Sequence, residues 1–457
     1  MAWCGGRSLV SDTVYARDMT SSTPPTPAAP SASGFQFQPL ALPASVTPSI
    51  ARNWPVKRLV FLAGEASGDH LGAAILSALA QAQAEYQIRL EVAGTGSEAM
   101  AAQGCLSLLP LSRFNHMGFT NVLLNLPKLM RAISTVKRAV VAAAPDAVIG
   151  IDAQGYVGQI MQGVGAGSTR RIQLVAPTVW AAHPERAAKV AGYLDRLLCL
   201  YPFEPPLFER HGLRADFVGH PLVQADVPEA PGMFRKGQSL LDSRMLVALL
   251  PGSRPVEVDH MIPVFAKAIH QLSASMKQEI TVAIPVAPLV KERVRALAKR
   301  WLPNAILVEG QSAKWKLFHD ADLALCCAGT AVIELALAKT PIILGFRHDR
   351  LTNWLGQRVW RGFASIVNIN ANQLIHPEFL LGECRSGPIA TAARSLLENT
   401  DRRQRIAAQQ YEHILKMGIR GPEGQWQSPA KVAATRILED LIDGIPAQAV
   451  IEQKASV

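Results

Sequence analysis

The chain has 457 residues, 49% of them hydrophobic, with a mean hydropathy of +0.14; it is too long for one ordinary core, so two domains are expected. Its 46 basic and 36 acidic residues leave a net charge of +10, which favours anionic partners such as nucleotides, phospholipid surfaces or nucleic acid. Nucleic acid is not expected, because aromatics are only 6% and no Lys/Arg block is interleaved with them. No run approaches the roughly 18 apolar residues of a membrane span, and the uncharged stretch Leu323–Ile333 stops at Glu334, so the protein reads as soluble or peripheral.

Residues 1–57 read as a disordered N-terminal extension. No acidic residue falls between Thr20 and Pro55, and seven prolines lie between Pro24 and Pro48 among Ser, Thr and Ala, too little apolar pattern for a core. A targeting peptide and a start at Met19 are the alternatives. From residue 58 short apolar strands alternate with helical patterns. Strands are expected at Leu59–Ala63, Ile88–Ala93, Ala147–Ile151, Ile172–Val175, Leu197–Tyr201 and Ala215–Val218, with helices clearest at Leu71–Ala84 and Pro127–Ala144. This alternation predicts an α/β fold with a doubly wound parallel sheet that binds ligands beyond the carboxyl ends of its strands.

Residues 226–242 lapse into Pro, Gly and charge and read as an interdomain linker. A second α/β pattern follows over 243–385, with strands at Met245–Leu250, Ile280–Ile284, Ile306–Val308, Leu323–Cys327 and Ile342–Leu344. The remainder, 386–457, reads as C-terminal helices and tail. Cys4, Cys105, Cys199, Cys326, Cys327 and Cys384 show no C-x-x-C spacing, so neither a zinc site nor a disulfide framework is indicated. Cys199, Cys326 and Cys327 fall in apolar runs and read as packed thiols.

Several strand ends carry residues suited to chemistry. In Ala63–Gly72, Gly64 and Gly68 allow a close turn and Ser67 and Asp69 are natural helix starters, while Glu65 and Asp69 suit hydroxyl contacts better than a phosphate cradle. Asp152 ends the strand Ala147–Ile151, where it is either a general base or a turn cap. After the next strand, Trp180 is a ligand platform or a core aromatic, and Arg186 and Lys189 present charge to a phosphate or to solvent. In the second half Gly252-Ser253-Arg254 follows the first strand and suits a diphosphate clamp. Gly329 and Thr330 open a helix towards the cleft, and Glu334 one turn later suits ribose hydroxyls or complements the helix dipole.

Two other stretches compete. Gly94-Thr95-Gly96-Ser97-Glu98-Ala99 matches the dinucleotide pattern G-x-G-x-x-A, but it follows the second strand, and the next strand-like stretch, Leu106–Leu111, brings no acidic residue for a ribose. Met117, Phe119, Leu123 and Leu126 form an apolar stretch followed by Lys128, Arg131, Lys137 and Arg138, which reads as core or, if exposed, as a face for acyl chains and lipid phosphates.

Taken together these stretches resemble the lipid-A-disaccharide synthase family of GT-B glycosyltransferases. The matching residues are A-G-E-A-S-G-D at Ala63–Asp69, M-G-F at Met117–Phe119, G-I-D-A at Gly150–Ala153, P-T-V-W-A at Pro177–Ala181, F-V-G-H-P-L at Phe217–Leu222, L-L-P-G-S-R at Leu249–Arg254 with Glu257, and G-T-A at Gly329–Ala331 with Glu334. They fall in the family's order over about residues 57 to 445. The resemblance implies an inverting transfer from UDP-2,3-diacylglucosamine to 2,3-diacylglucosamine 1-phosphate, without metal or other cofactor, by a peripheral enzyme on the cytoplasmic face of the inner membrane. Dimers are common in the family. It implies Asp152 as base, Arg254 on the diphosphate, and Gly252, Ser253, Gly329, Thr330 and Glu334 on the nucleotide. Glu65, Ser67, Asp69, Trp180, Arg186 and Lys189 fall on the acceptor side. The family's usual A-P-D-F-N is here Ala153-Gln154-Gly155-Tyr156-Val157, Ala328 replaces the Ser before Gly329, and Ala182 replaces a second Trp. These departures leave open another GT-B acceptor or donor, or an idle nucleotide-sugar-binding relative.

Overall fold

The computed structural model describes residues 34–111, 119–164, 169–180, 184–224, 227, 231–347 and 362–442, with the side chains of 119–126 left aside. In the first half the alternation gives β1 (Gln38–Pro39), β2 (Val56–Ala63), α1 (Ala66–Tyr86), β3 (Arg89–Thr95), α2 (Glu98–Ala101), α3 (Phe119–Ala143), β4 (Ala147–Ile151), α4 (Gln154–Met161), β5 (Arg170–Leu174), α5 (Arg186–Ala191), β6 (Arg196–Cys199), α6 (Pro205–Glu209) and β7 (Arg214–Phe217). These strands form one sheet in the order β1-β3-β2-β4-β5-β6-β7, with every pair parallel except β1 with β3.

The second half contains α7 (Met233–Gly237), β8 (Met245–Leu250), α8 (Pro255–Ser275), β9 (Ile280–Pro285), α9 (Lys291–Trp301), β10 (Ile306–Val308), α10 (Gln311–Asp320), β11 (Leu323–Cys326), α11 (Ala331–Leu337), β12 (Ile342–Phe346), α12 (Ile366–Ala371) and β13 (Glu378–Leu380). Its sheet is wholly parallel, in the order β10-β9-β8-β11-β12-β13. The chain closes with α13 (Ser386–Leu397), α14 (Thr400–Leu415), a small hairpin of β14 (Ile419–Arg420) and β15 (Trp426–Gln427), and α15 (Pro429–Leu441).

Side-chain alternation puts a core on each face of each sheet. Along β2, Leu59, Phe61 and Ala63 face the core shared with α1 and α15, while Val60 and Leu62 face the one shared with α3, α4, α5 and α6. Along β8, Val247 and Leu249 join the core under α8, α9 and α13, and Leu246, Ala248 and Leu250 the core with α10, α11 and α14. Cys105, Cys199, Cys326, Cys327 and Cys384 are free and buried, and burial raises their thiols, Cys105 to about 12 and Cys384 to about 11.

Three boundaries differ from the expectation. Residues 34–57 are not part of a disordered extension: β1 pairs with β3, and Leu40 is buried with its amide on the Leu90 carbonyl at 2.8 Å. The buried amide of Gln83 donates to Ala41 O at 2.9 Å and accepts from Leu90 N at 2.8 Å. A two-residue edge strand needs few apolar residues, and Pro39 is tolerated because it lies on the edge. The segment 226–242 is not a bare linker either, since it holds α7. Asp320, at the far end of α10, accepts from the amides of Gly232, Phe234 and Arg235, and Arg235 pairs with Asp322 at 2.6 Å. Its cap comes from a distant residue, which leaves no local sequence signal.

The segment 386–457 is also divided. α13 and α14 complete the second half, whereas α15 returns to pack on α1 in the first. That return is anchored by the fully buried Arg196, which pairs with Asp216 at 2.6 Å, Glu439 at 2.8 Å and Asp440 at 3.1 Å. A buried guanidinium with three carboxylates is tolerated because each charge is matched by hydrogen bonds.

Candidate active site

Strands β2 and β4 are neighbours, so the loops leaving their carboxyl ends meet. A Cβ at Gly64 would stand 2.7 Å from the Ala153 Cβ, which explains the glycine. Asp152 and Ala153 both adopt left-handed backbone, at φ 51° and 44°, a conformation that costs non-glycine residues on the order of 1 kcal/mol each. The turn is held by Asp152 N donating to Leu174 O at 3.0 Å and by Gln173 Nε2 donating to Asp152 O at 3.1 Å. It leaves the Asp152 carboxylate half-buried at the sheet edge, able to accept a proton from a bound hydroxyl. Tyr156 is buried and shares a 2.7 Å hydrogen bond with the Thr95 hydroxyl.

Asp69 does not face a substrate. It is 4% exposed, and its carboxylate accepts the amides of Ser97 at 2.6 Å, Ala99 at 3.0 Å and Met100 at 3.3 Å. This corrects its placement on the acceptor side: from the first turn of α1 the side chain caps the neighbouring α2, which engages both carboxylate oxygens away from the cleft. Close packing accounts for the dinucleotide-like glycines. A Cβ at Gly96 would meet Asp69 Oδ1 at 2.9 Å, and one at Gly94 would collide with Phe61 O. Asp69→Ala is expected to lower unfolding stability by about 3 kcal/mol in urea titrations, with UDP affinity unchanged. Glu65 is half-buried at the start of α1 and Ser67 is exposed in its first turn, so both remain accessible at the edge beside Asp152.

Beyond β5 and β6, Trp180 packs edge-on against Tyr201 and Phe203, with ring centroids 6.1 and 5.2 Å apart. Tyr201 stacks on Phe203 and on His220, at 5.7 and 5.5 Å. Trp180, Tyr201 and Phe203 also lie against the second half's core, so this aromatic group joins the two halves at the cleft. Burial, followed by the Glu204 and Asp152 carboxylates, raises the Tyr201 phenol, and burial holds His220 down at about 4. Arg186 and Lys189 are exposed on α5.

Under the aromatic group, burial raises the Glu204 carboxyl to about 8, although the Tyr201 and Leu200 amides donate to it. Between its ordinary 4.5 and 8 the unfolded chain has lost a proton that the folded chain keeps, so stability falls as pH rises through this window. Glu204→Gln, which keeps an acceptor oxygen, is expected to flatten that fall. By urea unfolding it should be more stable than the parent near pH 8 by on the order of 2 kcal/mol.

The second half supplies a cavity of about 670 Å³ at the carboxyl ends of β8, β9, β10 and β11, and Gly252, Ser253, Arg254, Gly329, Thr330 and Glu334 all line it. Gly252 turns at φ 109°, where a Cβ would collide with Glu257 Oε2. That oxygen accepts the amides of Ser253 at 3.0 Å and Arg254 at 3.2 Å, so Glu257 caps α8 and sets the turn. Arg254 is 61% exposed, and its closest charged partner is Glu257 at 3.7 Å; the rest of its fork is available to an anion. Glu334 is paired with Lys314 at 2.6 Å, a cavity residue that sequence reasoning missed. Asp152, Glu65, Ser67 and Trp180 do not line this cavity; they belong to the first sheet's edge.

Met117 lies outside the described residues, and Phe119, Leu123 and Leu126 lie on α3 where only the backbone is described. Lys128 and Arg131 are exposed on the same helix beside Met130, which is 45% exposed. Among the described residues no group of three or more His, Cys, Asp or Glu is arranged to hold a metal ion, and no helix is long and apolar enough to cross a membrane.

Two largely parallel α/β sheets, with a cavity at the carboxyl edge of the second and a carboxylate at that of the first, define a protein of the GT-B fold. The fold agrees with that of the S. aureus MnaA–UDP complex, with a TM-score of 0.52 at 11% identity, covering 85% of this chain and 99% of that one. The family model described as lipid-A-disaccharide synthetase matches residues 59–425. The chain is 36% identical over 351 residues to the lipid-A-disaccharide synthase of Rhodospirillum centenum, covering 76% of this chain and 86% of that protein. It is 32% identical over 392 residues to that of Paramagnetospirillum magneticum, covering 84% and 98%. The chain belongs to the lipid-A-disaccharide synthetase family.

Proposed function

We propose that the chain joins UDP-2,3-diacylglucosamine to the 6-hydroxyl of 2,3-diacylglucosamine 1-phosphate, giving the β(1→6) disaccharide 1-phosphate and UDP. Family membership carries the reaction class. For the site, the reading rests on one observation: the glycine turn with its arginine and the Gly329-Thr330 turn with its glutamate, 75 or more residues apart in sequence, share a single cavity.

In this reading Asp152 takes the proton from the acceptor 6-hydroxyl as its oxygen attacks the anomeric carbon from the face opposite UDP. The bond from that carbon to the diphosphate oxygen breaks, and UDP departs with the electron pair, so the α-linked donor gives a β product. Arg254 offsets the charge that develops on the diphosphate, helped by the backbone around Gly252, Ser253, Gly329 and Thr330. Glu334 takes the ribose. Glu65, Ser67 and Trp180 border the acceptor, with Arg186 and Lys189 available to its phosphate. The apolar stretch from Met117 to Leu126, with Lys128 and Arg131, meets the acyl chains and anionic headgroups, which places the enzyme peripherally on the cytoplasmic face of the inner membrane.

The test is to incubate the full chain with both acylated sugars and weigh the product. Formation of the disaccharide 1-phosphate is expected. Product only from unacylated or differently acylated sugars would overturn the substrate assignment.

A further inference from the structure

Lys314 belongs to the same cavity but to none of the sequence motifs. It sits in the first turn of α10, where the unpaired N–H groups of a helix disfavour a cation. A lysine at that position needs a compensating partner, and it has one: its ammonium lies 2.6 Å from Glu334 Oε1, with 18% and 17% of the two side chains exposed. The rings of Trp315 and Phe318, each 5.8 Å from Nζ, confine it further. The pair thus ties the first turn of α10 to the first turn of α11 across the wall of the cavity. Among the described residues Glu334 Oε2 accepts no hydrogen bond, so this oxygen remains for a ligand.

We propose that Lys314 is a positioning residue for nucleotide recognition: by holding one oxygen of Glu334 it fixes the other where the ribose hydroxyls of a uridine diphosphate group reach it. The proposal rests on the assignment of this cavity to the nucleotide. A neutral side chain at position 314 would leave the Glu334 carboxylate without its fixed partner, and the carboxylate would no longer distinguish a ribose from a sugar lacking its hydroxyls. If the ammonium instead met the diphosphate, ribose discrimination would not depend on it.

The test uses the full chain and compares the affinities of UDP and 2′,3′-dideoxy-UDP by calorimetric titration, for the parent, Lys314→Met, Lys314→Arg, Glu334→Gln and the double variant Lys314→Met/Glu334→Gln. The parent is expected to prefer UDP by roughly 10- to 100-fold. Lys314→Met should reduce that preference to about threefold or less, Lys314→Arg should retain most of it, and the double variant should lose no more preference than Glu334→Gln alone. Residual binding of dideoxy-UDP by Lys314→Met reports that the variant is folded. An unchanged preference in Lys314→Met, even with weaker binding of both nucleotides, would overturn the proposal while leaving the cavity's assignment in place. A parent that binds no UDP would overturn the cavity's assignment, and the proposal with it.

Discussion

Asp152→Ala is expected to lower turnover by about 10²- to 10⁴-fold, while the dissociation constant for UDP stays within about twofold. The carboxylate directly follows β4 in the first half, and the cavity proposed for the nucleotide is lined by residues of the second, so removing it leaves that cavity intact. Asp152 also occupies left-handed backbone, which asparagine tolerates better than alanine. Asp152→Asn therefore keeps the turn while removing the base, and it should lose turnover to the same extent. Steady-state UDP release paired with calorimetric titration separates the two effects. A turn defect alone would make Asn active where Ala is not.

Arg254→Ala carries the second large effect, on both binding and turnover. The guanidinium is 61% exposed at the cavity and tied only loosely to Glu257, at 3.7 Å, so its loss should cost little folding stability. Charge-assisted hydrogen bonds to a diphosphate contribute on the order of 1.5–3 kcal/mol, so UDP affinity should fall by roughly 10- to 100-fold. Turnover should fall as well, because charge on the departing diphosphate grows in the transition state. Arg254→Lys should retain only part of the affinity and turnover, since an ammonium lacks the planar fork.

The core strands were legible because each is a short apolar run between turns: Ala147–Ile151, Met245–Leu250 and Ile306–Val308 have the expected bounds. Elements held by distant partners were not. β1 depends on β3 and Gln83, α7 on a cap from Asp320, and β13 on pairing with β12. The same distinction runs through the site. Gly252, Arg254 and Gly329 stand in turns that directly follow strands, where composition marks them. Asp69 stands in the first turn of α1, just after such a turn, but its carboxylate points to the amides of Ser97, Ala99 and Met100, which only the fold brings near. Lys314 was missed for the converse reason: one lysine in a helix between Ala313 and Trp315 carries no local signal, and its meaning lies in Glu334, twenty positions on.

The division of labour between the halves is tested most directly by measuring UDP release from UDP-2,3-diacylglucosamine by the unmodified chain, with and without 2,3-diacylglucosamine 1-phosphate. The account predicts release that depends on the acceptor and matches the disaccharide formed. Equal release without acceptor, or tight UDP binding with no release in either mixture, would contradict it.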